Sequence, residues 1–194
     1  MNQSKLISIL NGISIIALVL MLLLLFAYAT TNKQLSTDSE NRFNLTYNAN
    51  RFMNGSAYLT NEVRAYAATG EQVHYDNYWN EINTLKNRDQ GLAAMQEIGI
   101  TKEEQSMIDQ MSSISNNLVP LEEQAMENVQ AGRLQEAVDY VYGADYTASI
   151  TQINTLKEQF LTTLDSRTSS DIQALNLRSM IIKSLIYLAL VFVA

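Results

Sequence analysis

The side chains able to do chemistry in this sequence crowd into one stretch. Arg64, Asn83 and Arg88 fall on or beside the apolar positions of two consecutive expected helices, with Tyr66, Tyr75, Tyr78 and Trp79 around them. A helix bundle ordinarily keeps Arg and Asn off its apolar seam, because a buried charge must be paired. An arginine fork between aromatic walls suits a small carboxylate, such as an amino acid or organic acid, held by two parallel hydrogen bonds. These seven residues are the candidate ligand-binding set. The alternative is structural: Arg64 pairs with a Glu or Asp of a neighbouring helix, and the aromatic rings simply pack.

Other chemistry has little to stand on. The chain has no Cys and a single His, His74, whose place just after a helix turn fits an exposed or capping residue better than a ligand. There is no Gly-rich phosphate loop, no nucleophile elbow and no His-Glu-x-x-His. No catalytic residue, metal site or cofactor is expected, and the chain does not read as an enzyme. The acidic pairs Glu103-Glu104 and Glu122-Glu123 read as solvated helix faces rather than a cation site, and Met107 and Met111 as core filling. A net charge of -7 argues against a nucleic-acid partner, which needs a clustered basic surface.

The elements that must position the candidate set are helices. One Pro, seven Gly and abundant Ala, Leu, Gln and Glu in 194 residues favour an all-α chain. Leu6 to Asn32 holds no charged residue, and about 20 such residues cross a bilayer as a helix. Ala27-Tyr28-Ala29 imitates a signal-peptide cleavage site, but the apolar run exceeds the usual signal length, which favours a retained membrane helix. Met180 to Ala194 is a second apolar run, too short to span, and reads as the start of a truncated second transmembrane helix; a tail anchor or a core helix are the alternatives. Lys5 and Lys33 flank the first span on opposite sides, so charge alone leaves orientation nearly neutral. The division that follows is a cytoplasmic N-terminus at 1–5, transmembrane helix 1 at 6–30, an extracytoplasmic sensor domain at 31–179 and transmembrane helix 2 from 180.

Between the spans, apolar residues alternate by three and four. The first helix carries Leu45, Ala49, Phe52, Ser56, Leu59, Val63 and Tyr66 and ends at Thr69-Gly70. A second helix is expected from about Glu71 to Ile98, with Tyr75, Tyr78, Ile82, Leu85, Leu92, Met95 and Ile98 on its seam and Gly91 as an interior blemish. Thr101-Lys102-Glu103-Glu104 is a capping box that opens a third helix, with Met107, Met111, Ile114, Leu118, Leu121 and Ala125 inward and a kink expected at Pro120. A short helix from Leu134 to Tyr142 precedes the last, which starts near Ala144 and weakens around Arg167 to Ser170. Short connections make neighbours antiparallel, giving an up-down-up-down antiparallel four-helix bundle between two transmembrane helices.

Several pieces in order also carry a resemblance. They are Leu59 to Gly70 with its Arg64-x-Tyr66 and Thr69-Gly70, then His74 to Asn83 with Tyr78-Trp79, Lys86-Asn87-Arg88, Gly99 to Glu104, Ala131-Gly132-Arg133 and Val141-Tyr142-Gly143. Together they resemble the four-helix-bundle sensor domain of bacterial methyl-accepting chemotaxis proteins, over about Thr31 to Met180. The resemblance implies a bacterial inner-membrane receptor, usually a homodimer, that binds a ligand outside the cytoplasm. It also implies a cytoplasmic signalling module beyond Ala194. The same domain precedes histidine kinases and cyclic-nucleotide enzymes, so the output type stays open, and a membrane-anchored bundle without a ligand is a further alternative.

Overall fold

The computed structural model describes residues 3–193, and among these every regular element is helical. In order they are α1 (Gln3–Thr69), α2 (Gln72–Asn80), a π-helical segment (Glu81–Leu85), α3 (Asn87–Ile98), α4 (Lys102–Gln130), α5 (Leu134–Tyr142) and α6 (Ala144–Val193). Two compact units emerge. Phe43–Ser166 forms one, and the stretches Met1–Arg42 and Arg167–Ala194 form the other.

In the flanking unit many apolar side chains point outward. Leu18, Phe26 and Leu188 are 62%, 69% and 66% exposed. By length and composition, two helices of the chain qualify to cross a membrane. Within this unit Thr31, Leu175 and Ile182 are buried, and Ser179 Oγ donates to Asn32 Oδ1 at 2.9 Å.

The unit Phe43–Ser166 has two core clusters. One gathers Leu45, Ala49, Phe52 and Met53 of α1 with Met95 of α3, Ile108 and Met111 of α4, and Phe160 and Leu164 of α6. The other gathers Val63, Tyr66 and Ala67 of α1 with Tyr78 of α2, Leu118 to Val129 positions of α4, Ala137 and Val141 of α5, and Tyr146 of α6. The seam expected for α1 is the buried face of that helix: Leu45, Ala49, Phe52, Val63 and Tyr66 are buried and Ser56 and Leu59 half-buried. His74, the lone histidine, is a link between helices. Its Nδ1 lies 2.7 Å from Glu62 Oε2, which also accepts from Asn77 Nδ2 at 3.2 Å.

Three sequence expectations need correction. The helix expected from Glu71 to Ile98 is interrupted: the π-helical turn ends at Lys86, a non-glycine residue in the left-handed region with φ 48° and ψ 37°. The interruption turns Leu85, expected inward, out to 44% exposure. Gly91 is a requirement and not a blemish. A Cβ there would lie 2.7 Å from Asn48 O and 2.8 Å from Phe52 N, both backbone atoms of α1. Finally, the inward stripe of α4 runs Glu104, Ile108, Met111, Ser115, Leu118, Glu122, Ala125 and Val129, again by fours and threes. Of the expected stripe, Met111, Leu118 and Ala125 lie on it, and Met107 and Leu121 pack half-buried against the two cores beside it. Glu104 and Glu122, expected on solvated faces, are therefore buried, while Glu103 and Glu123 are exposed.

The capping box forms as expected. Thr101 Oγ1 accepts from Glu104 N at 3.1 Å, and Thr101 N donates to Glu104 Oε2 at 2.7 Å. Thr101→Ala removes one of these bonds and should lower stability by about 1 kcal/mol. Thermal denaturation followed by circular dichroism checks this, and an unchanged midpoint would mean the cap is energetically idle.

Candidate functional site

Where the two clusters of the Phe43–Ser166 unit meet, the packing gives way to a cavity of about 550 Å³. That volume lies within the range of small-molecule pockets. Its wall draws on α1, α2, the π-helical segment, α3, α4 and α6.

Four of the seven candidate residues line it: Arg64, Tyr78, Trp79 and Arg88. The other three stand elsewhere. Tyr66 is buried in the core, Tyr75 packs against that core, and Asn83 is exposed on the π-helical turn. Tyr66 and Tyr75 still reach the wall indirectly through a chain of rings. Tyr66 meets Tyr75 at 5.4 Å between centroids, Tyr75 meets Trp79 at 6.2 Å, and Trp79 meets Tyr78 edge-on at 5.4 Å. Trp79 Nε1 is a buried donor with no hydrogen-bond partner among the described residues.

Neither arginine takes a carboxylate partner among the described residues. Arg64 donates from Nε to the Val141 carbonyl at 2.9 Å, and its guanidinium lies over the rings of Tyr142 and Tyr146, 4.8 and 5.2 Å from their centroids. The structural alternative of an Arg64 ion pair is thus not realised. Arg88 reaches only neutral groups, Ser115 Oγ at 3.2 Å and Asn116 Oδ1 at 3.5 Å. Burial pulls its guanidinium below the usual arginine range, against the opposing pull of Asp89 and Glu122. Lys157 of α6 adds a third cation to the wall.

The acidic side of the cavity was not legible as a site. Glu122 is 6% exposed and accepts the Tyr78 hydroxyl on Oε2 at 2.6 Å and the Tyr146 hydroxyl on Oε1 at 2.7 Å. Burial, then the neighbouring Glu122 charge and the bond to it, pushes both phenols far above their ordinary range. Both therefore keep their protons and act as donors. Glu81, 3% exposed, turns its carboxylate to the start of α3, accepting from Asn87 N at 2.7 Å and Asn87 Nδ2 at 2.9 Å. Asn87 Oδ1 in turn accepts from Arg51 Nε at 2.9 Å, so α1 holds the same turn. The signal for Glu122 was its spacing: it sits four residues after Leu118 and three before Ala125, on the seam itself.

Among the described residues no group of three or more His, Asp or Glu is arranged to hold a metal ion. The chain matches no family model, no curated protein and no solved structure. The site combines a ligand-sized cavity with aromatic walls, arginines that form no ion pair among the described residues, and a carboxylate bound by two phenols.

Proposed function

We propose that this chain is the sensory part of a transmembrane receptor, a chemotaxis transducer whose helical bundle binds a small carboxylate-bearing molecule in the cavity of the Phe43–Ser166 unit. The single observation that carries the reading is Arg88: a half-buried guanidinium on the cavity wall, offered only neutral hydrogen-bond partners among the described residues. A bidentate carboxylate is the anion its fork fits. In this reading the helices run up-down-up-down between two membrane spans, the sensor domain lies outside the cytoplasm of a bacterial cell, and the receptor works as a homodimer. Occupancy favours one of two packings of the bundle, and α6, continuous from the cavity wall into the second apolar stretch, carries the difference.

The test uses the full chain in detergent micelles and thermal melting against a panel of amino acids and organic acids. A ligand raises the midpoint according to its concentration over its dissociation constant. Arg88→Gln should weaken any ligand found by about tenfold to a hundredfold, the worth of a charged hydrogen-bonded contact. Equal affinity in that variant would remove Arg88 from the site.

A second reading is a membrane-anchored bundle that only oligomerises. Phe43 and Tyr47, 70% and 60% exposed on α1 one turn apart, favour it. No midpoint shift with any compound would select this reading over the receptor.

A further inference from the structure

We propose that the ligand of this cavity is dipolar, with a protonated amine seated on Glu122 and an anionic group on Arg88. The inference rests on the cavity being a ligand site and adds the half of the ligand that the arginines do not specify.

Glu122 is almost fully buried, yet no Lys, Arg or His lies within ion-pair distance of it among the described residues. Its only donors are the two phenols, one on each oxygen. A carboxylate offers about four lone-pair positions, so each oxygen keeps one in reserve. The side chain lines the cavity, and a primary ammonium brings three donors to meet those positions. A hydroxyl brings one donor and no charge, so it offsets the burial of the carboxylate less well.

The opposite charge is in the same cavity and is kept apart. Glu122 acts electrostatically on Arg88, and both line the wall, but they form no ion pair. Direct pairing would satisfy both groups at once and need no ligand. Holding a buried carboxylate unpaired beside a half-buried guanidinium is costly, and a molecule carrying the complementary charges relieves both ends together. The same cavity is lined by Trp79, Leu118, Ile150 and Ile153, apolar surface for a short carbon skeleton.

The experiment compares matched probes on the full chain in detergent micelles by titration calorimetry. The common L-amino acids, β-alanine and γ-aminobutyrate are each measured beside the hydroxy acid that lacks the amine and the amine that lacks the carboxylate. At least one amino acid should bind about tenfold to a hundredfold more tightly than both of its analogues. Glu122→Gln should cost that amino acid a similar factor and cost the hydroxy acid, which brings no positive charge to Glu122, clearly less. The wild-type comparison stands alone should the variant fold poorly. A hydroxy acid or diacid that binds as tightly as any amino acid overturns the dipolar assignment and leaves the carboxylate receptor standing. An amine that binds as tightly without its carboxylate overturns the Arg88 half. Binding by none of the probes overturns both this inference and the receptor.

Discussion

Between about pH 10 and about pH 12 the Phe43–Ser166 unit should lose on the order of 5 kcal/mol of stability. The sign follows from Tyr78 and Tyr146. Each phenol has an ordinary value of 10.0 and is raised in the fold, first by burial and then by the Glu122 charge. A raised acid binds its proton more tightly folded than unfolded. Its contribution is therefore complete below the unfolded value and drains away as pH climbs above it. Each such group removes about 1.4 kcal/mol per pH unit, so two remove about 2.7. Tyr58 and Tyr66 are shifted in the same direction and steepen the loss. Against a typical total of roughly 5–15 kcal/mol, this is enough to unfold the unit.

Two readouts check this. Stability measured by denaturant titration should be flat through neutral pH and fall steeply above pH about 10, in step with the tyrosinate ultraviolet band. Of the ten tyrosines, Tyr78 and Tyr146 should ionise only as the helices melt. The double variant Tyr78→Phe, Tyr146→Phe should start lower at neutral pH, because Glu122 loses both donors. It should also fall less steeply. An alkaline slope identical to that of the parent would show that the phenols are not coupled to folding.

Gly91→Leu is expected to cost about 3 kcal/mol or more, and even Gly91→Ala about 1–3 kcal/mol. Helix propensity alone says the reverse, a gain of about 1 kcal/mol for Ala over Gly inside a helix. The clash decides because a Cβ at this position meets Asn48 O and Phe52 N, which are backbone of α1 and cannot rotate aside. Gly55 repeats the arrangement from the other helix, where a Cβ would lie 2.8 Å from Arg88 N. The two helices approach at both glycines, and Arg88 is set on the cavity wall by that approach. A Gly91→Ala variant that melts higher than the parent would show that the helices separate at little cost.

Period was legible in the sequence and phase was not. The α1 stripe from Leu45 to Tyr66 was readable because its seven positions are apolar or small, and only one face of a helix fits them. In α4 two neighbouring stripes share Met111, Leu118 and Ala125, and the more apolar one is the less buried. Hydrophobicity favours Met107, Ile114 and Leu121, which end up half-buried; packing buries Glu104 and Glu122 instead, because those side chains find polar partners. The same preference hid half of the site. Arg64, Tyr78, Trp79 and Arg88 stood out as polar or aromatic residues near a seam, whereas Glu122 looked like one of a pair of surface acids. The π-helical turn had no sequence mark. Lys86 is an ordinary residue in a left-handed conformation, and the next residue, Asn87, is held by Glu81 and Arg51, contacts that only the folded chain brings together.

That turn has a consequence for length. An α-helix advances about 100° per residue, so a single added or deleted residue rotates everything beyond it by that amount. The Glu81–Leu85 segment and Lys86 set the angle at which Tyr78 on one side and Gly91 and Met95 on the other all face the core. Removing one residue there would straighten the helix and swing Gly91 away from α1, bringing a bulkier side chain to the glycine's place. The exposed turn at Ala131-Gly132-Arg133 connects separate helices and transmits no such rotation. Insertions and deletions across this chain should therefore be scarce between residues 78 and 95 and common between 130 and 134, with chain length held most strictly beside the cavity.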